Sequence, residues 1–395
     1  MTVHDPIVIV GSARTAMGGF QGDLKDATAP QLGAATIRAA LERSQVSAEA
    51  VEEVVFGCVL PAGQGQAPAR QAAIGAGLPF ATGASTVNKM CGSGMKAVML
   101  AHDLIVAGSA NIAVAGGMES MSNAPYLLDR ARGGYRLGHG RVIDHMFLDG
   151  LEDAYDKGRL MGTFAEDCAE AYQFTRPAQD DFAVTSLTRA QKAVEEGLFE
   201  AEITPVTVKT GRTETIVSRD EPPGKARLEK IPTLKPAFRE NGTVTAANSS
   251  SISDGAAALV LMHRSEAERR GLTPLATIAG HATHAQAPNL FATAPIGALN
   301  KLSERTGWDL KDVDLFEINE AFAVVAMAAM RDLDLPHDKV NVHGGACALG
   351  HPIGASGARV IVTLLAALER YGLKRGMASL CIGGGEATAI AVERH

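Results

Sequence analysis

The chain has 395 residues, a net charge of −7, only 5% aromatic residues and 42 glycines. This length is too great for one ordinary hydrophobic core and predicts two or three domains of globular α/β type. Charges of both signs are mixed without a basic run, which argues against a nucleic-acid partner, and no apolar run reaches the roughly 20 residues of a membrane span.

The cysteine pattern and the first strand indicate the compartment. The chain has five cysteines, an odd number, without a C-x-x-C pair. Residues 6–10 already form an apolar strand pattern, and no basic segment precedes it. These features disfavour secretion, disulfides and a zinc site. We therefore expect a reduced, cytoplasmic protein that needs no metal.

One pattern of strands and helices occurs twice along the chain. The strand predicted at residues 6–10 is echoed at residues 273–278. Residues 93–117 combine a helix that opens with Ser-Gly and a strand that ends in Gly-Gly, and residues 356–384 repeat this arrangement. The sequence therefore predicts an α/β fold built from duplicated β/α halves.

The two repeated helices also predict how the halves pack. Residues 95–107 and 358–367 are apolar nearly all round, and a helix without a polar face is covered on every side. The simplest arrangement places this pair in a middle layer between two sheets, one per half, with amphipathic helices outside. This predicts an α/β/α/β/α order of layers, in which the N-termini of the two central helices approach each other.

A change of composition marks the domain boundaries. We predict an N-terminal half at residues 1–120, completed by about 250–271, and a C-terminal half at 272–395. Residues 121–249 are richer in charge and loop-like glycines and are interpreted as an inserted loop domain, which usually supplies substrate contacts. Within this region one amphipathic helix is predicted to start at Thr175, with Pro177 in its first turn. Its predicted buried face consists of Ala183, Leu187, Ala190 and Val194.

Cys91 is the first candidate for chemistry. It follows an extended segment at residues 84–88 and precedes the helix that begins near Ser93. A thiol at this place faces unsatisfied backbone N–H groups and the positive end of the helix dipole, which favours the nucleophilic thiolate. Taken alone, Cys91 is equally well interpreted as a small buried apolar residue.

Three further motifs carry chemically useful side chains. Asn319 follows an apolar strand, His351 lies in a glycine-rich loop before the second central helix, and Cys381 ends the next strand before three glycines. Each residue also has an ordinary structural interpretation: Asn319 as a turn former, His351 as a turn residue and Cys381 as a core residue. The remaining cysteines are predicted to be structural: Cys58, Cys168 and Cys347.

Jointly, these motifs resemble the thiolase family over the whole chain. Residues 88–96 (NKMCGSGMK) resemble the loop that carries the family's nucleophile. Residues 319–322 (NEAF), 350–357 (GHPIGASG) and 381–385 (CIGGG) resemble the other signature segments, in the family's order. The resemblance implies acyl transfer between coenzyme A thioesters through an acyl-enzyme.

The resemblance also implies a role for each reactive group. Cys91 would attack a thioester with help from His351, and Cys381 would remove the α-proton of a second acetyl-CoA. One oxyanion hole would combine His351 with a water held by Asn319. The other would use the backbone N–H groups of Cys91 and Gly383.

We expect coenzyme A to be a substrate of the protein, and we expect no resident cofactor. The resemblance points to Ser250 and Phe238 along the pantetheine. Around the acyl end it points to Met161, Leu151, Phe322 and Phe291, the last at a position where short-chain members tend to have methionine. The basic cluster expected for the phosphates comprises Lys225, Arg227 and Lys230.

Several alternatives remain at this point. Met161 and a compact acyl end favour the condensation of two acetyl-CoA to acetoacetyl-CoA and its reversal, in lipid metabolism. A degradative 3-ketoacyl-CoA thiolase for longer chains and a catalytically silent acyl-CoA-binding subunit are the rivals. The loose G-x-G-x-x-A match at residues 92–97 suggests an oxidoreductase only weakly, and a Cys/His/Asn hydrolase leaves Cys381 without a role. Thiolases are usually dimers or tetramers, so we expect a homo-oligomer, a dimer or a homotetramer, in which strands such as residues 85–89 pair across a two-fold axis.

Overall fold

The computed structural model describes residues 5–395. The strands are β1 Ile7–Thr15, β2 Gly18–Gly19, β3 Glu53–Gly57, β4 Gly83–Val87, β5 Ile112–Ser120, β6 Tyr126–Leu127, β7 Ile143–Asp144, β8 Ile203–Thr204, β9 Val206–Thr210, β10 Thr213–Val217, β11 Ser253–His263, β12 Ala276–Ala285, β13 Leu315–Ile318, β14 Arg375–Ile382 and β15 Glu386–Glu393. The helices are α1 Ala29–Ser44, α2 Pro68–Gly75, α3 Ser93–Val106, α4 Met161–Tyr172, α5 Arg176–Glu195, α6 Glu221–Lys225, α7 Arg264–Arg269, α8 Ala294–Thr306, α9 Ala323–Asp332, α10 Ala346–Leu349 and α11 Ser356–Arg370. Between residues 5 and 395, no helix combines the length and the apolar character that crossing a bilayer requires.

Strands from both halves form one continuous sheet. Its order is β13-β14-β15-β12-β1-β11-β5-β3-β4, with β2 and β8 attached to β11 and β1. A short antiparallel ladder joins the halves, in which Val8 faces Thr277 and Ile9 faces Ala276. The prediction of two separate sheets is therefore wrong at this seam, because β1 hydrogen-bonds to strands of both halves.

Helices cover the sheet in the predicted five layers. α1 and α2 pack on the outer face of β1, β3, β5 and β11, whereas α8 and α9 pack on the outer face of β13, β14 and β15. α3 and α11 lie between the two halves of the sheet in one shared apolar cluster. The twist that accumulates along a sheet lets its two ends face each other across this central layer.

Only one of the two central helices is covered all round. α11 is buried from Ser356 to Leu368 apart from one partly exposed alanine, as predicted. The second half of α3 instead reaches the surface, with Asp103 exposed and Val106 51% exposed. The apolar composition of α3 therefore does not correspond to complete burial within one chain.

The first turns of α3 and α11 touch backbone to backbone. A Cβ atom added to Gly94 would lie 2.8 Å from the amide nitrogen of Ala358, and one added to Gly357 would lie 2.4 Å from that of Met95. Only glycine permits such an approach. The prediction that the two N-termini meet is confirmed, and this contact places the loops before both helices side by side.

The region between the halves contributes α4, α5, α6 and two small sheets, β6–β7 and β9–β10. α5 starts as predicted, since the Thr175 hydroxyl accepts a hydrogen bond from the amide of Ala178 at 3.3 Å and Pro177 lies in the first turn. On its predicted buried face Ala183, Leu187 and Ala190 are buried. Val194 is only partly buried, and Ala193 takes the inward position in the last turn.

Candidate active site

Cys91 lies in a tight turn between β4 and α3. Met90, directly before it, has a φ of 47°, which non-glycine residues rarely adopt. The Asn88 side chain stabilises this turn by accepting a hydrogen bond from the Met90 amide at 2.9 Å. The Ser93 hydroxyl accepts from the Lys89 amide at 2.9 Å and donates to the Met90 carbonyl at 2.6 Å. Local side chains thus hold the strained backbone that carries the thiol.

A single cavity of about 360 Å³ brings the reactive groups together. Cys91, His351, Cys381 and Gly383 all line it, although they come from three separate segments of the chain. Its other lining residues include every side chain predicted along the pantetheine and around the acyl end: Leu151, Met161, Phe238, Ser250, Phe291 and Phe322. The sequence therefore identified residues that do converge on one cavity.

Burial, rather than the helix end, sets the protonation state of the thiol. Burial raises the pKa of Cys91 to about 11, although the backbone N–H groups of Gly383 and of Cys91 itself lower it. The backbone donors at the start of α3 act in the expected direction, but desolvation outweighs them, so the pKa of Cys91 is raised and not lowered. Burial, together with the proximity of Cys91, also raises the pKa of Cys381. Both sulfurs are thiols at neutral pH and need a base.

His351 has the protonation state of such a base. Burial, with a smaller contribution from the Arg359 cation, lowers its pKa to about 3, so the imidazole is neutral at pH 7. The Ser356 hydroxyl donates to the Pro352 carbonyl at 3.0 Å and therefore accepts from His351 Nδ1, 2.6 Å away. This network puts the ring proton on Nδ1. The buried Nε2, which has no hydrogen-bond partner within residues 5–395, is the basic nitrogen.

The loop that carries His351 requires a glycine before it. Gly350 has a φ of 98°, and a Cβ atom there would lie 2.1 Å from the hydroxyl oxygen of Ser253. The His351 amide then donates to the Ser251 carbonyl at 3.0 Å. The glycine-rich loop is thus fixed against the serine loop, residues 249–253, which lines the same cavity.

Asn319 lies behind the cavity wall. It is fully buried at the end of β13 and is not among the lining residues. Arg359 donates to its side chain at 3.4 Å and to Glu317 at 3.3 Å. A guanidinium only donates, so the Asn319 atom facing it is Oδ1. The Nδ2 donor has no hydrogen-bond partner in the described part of the chain.

A second cavity of about 570 Å³ adjoins the first, and the two share Ala246 and Ser251 as lining residues. Lys225, Arg227 and Lys230 line it. Lys225 is paired with Glu221, whereas Arg227 and Lys230 form no ion pair inside the range 5–395. The two cavities thus lead from the sulfurs to a basic region, which suits a long anionic ligand.

Sequence reasoning missed three residues that organise the site: Ser356, Arg359 and Glu119. The buried Glu119 carboxylate accepts hydrogen bonds from the amides of Val59 and Gly354, both at 2.9 Å, and of Leu60 at 3.1 Å. It thereby ties the segment after β3 to the loop of His351. In the sequence, Glu119 could have been noticed as an acidic residue inside the otherwise apolar strand β5.

The other cysteines have no place among the reactive groups. Cys58 is buried in the core beneath α1 and α2, as predicted, with its thiol 3.6 Å from Glu119. Cys168 is buried on α4. Cys347 contacts the Glu320 carbonyl at 3.7 Å and lines the second cavity.

Two family models match the chain. Residues 7–265 match "Thiolase, N-terminal domain", and residues 272–394 match "Thiolase, C-terminal domain". Together the two matches extend from β1 to β15.

Relatives of known identity match over almost the whole length. An acetyl-CoA acetyltransferase of Cupriavidus necator is 50% identical over 390 residues, which cover 98% of this chain and 99% of the relative. Acetyl-CoA acetyltransferase 2 of Arabidopsis thaliana is 52% identical over 391 residues, covering 98% of this chain and 96% of that protein. The crystal structure of the Bacillus anthracis acetyl-CoA acetyltransferase superposes with a TM-score of 0.97 at 42% identity, covering 99% of both chains.

Proposed function

The chain belongs to the thiolase family, and on that basis we propose that it is an acetyl-CoA C-acetyltransferase. It joins two acetyl-CoA into acetoacetyl-CoA and coenzyme A and catalyses the reverse thiolysis. The observation that carries this proposal is the single cavity lined by Cys91, Cys381 and His351. The relatives named above bear the same activity in their names.

The first half-reaction forms the acyl-enzyme. The Cys91 sulfur attacks the thioester carbon while its proton passes to His351 Nε2, which is available because Ser356 holds the other ring proton. The C–S bond to coenzyme A breaks, and the leaving sulfur takes a proton from Cys381. The products are acetyl-Cys91, coenzyme A as thiol, protonated His351 and the Cys381 thiolate.

The second half-reaction forms the carbon–carbon bond. The Cys381 thiolate removes the α-proton of a second acetyl-CoA, and the resulting carbon attacks the acetyl carbonyl on Cys91. Cys91 leaves as a thiolate and recovers its proton from His351. The α-proton now on Cys381 replaces the one that left with coenzyme A, so every group is back in its starting protonation state and no acid or base outside the cavity is required.

Donors already in place stabilise the thioester oxygens. Protonated His351 and a water held by the unpaired amide of Asn319 serve one oxygen, and the backbone N–H groups of Cys91 and Gly383 serve the other. Losing one such donor typically costs about 3 kcal/mol of transition-state stabilisation. The burial of Asn319 behind the wall supports its action through water.

Aromatic side chains favour a short acyl group. Phe322 packs edge to face against Phe238 at 5.9 Å and against Phe291 at 6.3 Å between ring centroids. The Phe238 ring can take this position because residue 162 is glycine: a Cβ atom there would lie 2.3 Å from the ring. Met161 lies opposite Gly383, 3.5 Å from the position of an added Cβ. These contacts leave little room for a long chain beside the sulfurs.

An assay of chain length tests the proposal. We expect formation of acetoacetyl-CoA from acetyl-CoA, and thiolysis whose kcat/KM is highest for acetoacetyl-CoA and falls as the ketoacyl chain lengthens. Faster thiolysis of medium or long chains would show a degradative 3-ketoacyl-CoA thiolase. Binding of acyl-CoA without turnover would show a catalytically silent subunit.

The second cavity supports coenzyme A as a substrate. Arg227 and Lys230, which form no ion pair within residues 5–395, suit its phosphates, and Ser250 lines the first cavity next to Ser251, which lines both. The Ser250 hydroxyl donates to the Ala321 carbonyl at 3.0 Å and can still accept a hydrogen bond from the pantetheine. The proposed reaction uses no cofactor besides this substrate.

We also propose a homo-oligomer, dimeric or tetrameric, that works in the cytoplasm in acyl-CoA metabolism. β4 ends the sheet and pairs with β3 on one side only, and the adjacent α3 exposes Val106. An edge strand beside an apolar helix face suits pairing with a second copy. The free thiols suit a reducing compartment. Sedimentation of the purified protein would give its mass in solution, and a monomer would contradict the proposal.

A further inference from the structure

A cluster of His102, Asp103 and His281 lies outside both cavities. His102 and Asp103 belong to the second half of α3, and His281 belongs to β12. About three helical turns, roughly 16 Å, separate His102 from the end of α3 that carries Cys91. None of the three residues lines either cavity, so the reaction proposed above gives them no role.

The donor atoms of the cluster form a small triangle. Asp103 Oδ1 lies 3.0 Å from His102 Nδ1 and 3.0 Å from His281 Nε2, and the two nitrogens lie 3.3 Å apart. Three ligand atoms about 2.1 Å from one ion are separated by about 3.0 Å at octahedral angles and about 3.4 Å at tetrahedral angles. The triangle therefore has the dimensions of one face of a metal coordination sphere.

We propose that His102, Asp103 and His281 bind one divalent first-row transition-metal ion, with Zn²⁺ as the favoured ion. Two imidazoles and one carboxylate form a common zinc ligand set, whereas Mg²⁺ and Ca²⁺ prefer oxygen ligands alone. The side chain of Asp103 is 54% exposed and those of the histidines are 18% and 15% exposed. Within a single chain, water can therefore reach the ligand atoms and complete the coordination.

The orientation of the ligands agrees with this assignment. The two imidazole rings stand nearly perpendicular, at 86° with centroids 4.9 Å apart. His102 Nδ1 and His281 Nε2 both lie 3.0 Å from Asp103 Oδ1, so one nitrogen of each ring faces the same carboxylate oxygen.

The bound ion would connect the two halves of the molecule. α3 belongs to the N-terminal half, whereas β12 is the strand of the C-terminal half that pairs with β1. A ligand that binds only the folded state stabilises it by mass action. The expectation that the protein needs no metal came from its cysteine pattern, which does not bear on a site made from histidine and aspartate.

Metal titration of the whole purified protein tests the site. After chelation and removal of the chelator, Zn²⁺ is titrated by calorimetry, and Co²⁺ is followed by its visible absorption, which reports on coordination. We expect one ion per chain, a thermal midpoint that rises by a few degrees with Zn²⁺, and dissociation constants at least about 10-fold higher in Asp103→Asn and His281→Gln.

The control is His139→Gln, which removes an exposed histidine of the inserted region. It should bind Zn²⁺ as the wild type does. Asp103→Asn is nearly isosteric and lies at the surface, so its folding is not at risk. The absence of saturable binding, or equal affinity in Asp103→Asn and the wild type, would show that the cluster is only a hydrogen-bonded triad and would overturn the proposal.

Discussion

At Cys91, desolvation and local donors act in opposite directions. The amides around the sulfur favour a thiolate, but burial wins and raises its pKa to about 11. Sequence could place the thiol before a helix but could not predict this outcome, because the balance depends on how completely the inserted region and the serine loop cover the sulfur. The consequence is that acylation depends on His351.

His351→Ala should change the pH dependence of acylation. The wild-type rate should vary little between pH 6 and 8, because the pKa of His351, lowered to about 3, keeps the base neutral throughout. Without this base the rate should follow the thiolate fraction and rise about tenfold per pH unit below pH 11. Stopped-flow acylation with acetyl-CoA measures both profiles. An equal loss of rate at every pH would mean that His351 acts mainly as an oxyanion donor.

Ser356→Ala should lower kcat by up to about 100-fold while KM changes little. The hydroxyl accepts the Nδ1 proton of His351, so its removal allows the other tautomer, which points a proton instead of a lone pair at Cys91. Steady-state condensation kinetics measure the effect. Circular dichroism of the variant controls for folding, and an unchanged kcat in a folded variant would contradict the assigned tautomer.

The resemblance of the sequence motifs to the thiolase family predicted Cys91, His351 and Cys381 as members of one site. The supporting residues could not be predicted in this way. Ser356 and Arg359 lie in an apolar helix and appear unremarkable until the fold turns them toward His351 and Asn319. Their function depends on orientation, which a sequence pattern does not carry.

Among the elements, the crossing of α3 and α11 positions the site. Gly94 and Gly357 let the two first turns meet, and each helix is preceded by a loop that bears a reactive residue. The apolar composition of both helices predicted a central layer correctly. It did not reveal that α3 reaches the surface around Val106, because an apolar helix face has the same composition whether it lies in the core or at the surface.

Gly357→Ala should destabilise the protein by about 1–3 kcal/mol and reduce activity. The added methyl group would lie 2.4 Å from the Met95 amide nitrogen, so the helices must separate and shift the loops of Cys91 and His351. Urea unfolding measures the loss. Gly133→Ala is the control, since an added Cβ meets nothing within 4 Å there. Equal stability of the two variants would contradict a tight crossing.

Across the whole molecule, sequence predicted the duplicated halves and the order of layers. It did not predict that the two halves of the sheet are continuous, because the β1–β12 ladder is short and neither strand carries a pattern that identifies its neighbour. Pairing partners are set by the twist and packing of the complete sheet, which only the folded chain provides.

Buried carboxyl groups should make the stability of the whole molecule depend on pH. Burial raises the pKa of Glu119 to about 7, against an ordinary value near 4.5. Between these values the folded state holds a proton that the unfolded state releases, so this group's contribution to stability falls as pH rises through the window. The thermal midpoint of the wild type minus that of Glu119→Gln should therefore fall as the pH rises from 4.5 to 7. A constant difference in midpoints would contradict the raised pKa.

The central claim is that Cys91 and Cys381 act in one cavity, the first as nucleophile and the second as the base for carbon–carbon bond formation. The most direct test is mass spectrometry of Cys381→Ser after incubation with acetyl-CoA, combined with an assay for acetoacetyl-CoA. We predict one acetyl group on the peptide that contains Cys91, almost no condensation, and no adduct in Cys91→Ala. An acetyl group on another residue, or condensation by Cys381→Ser at the wild-type rate, would contradict the account.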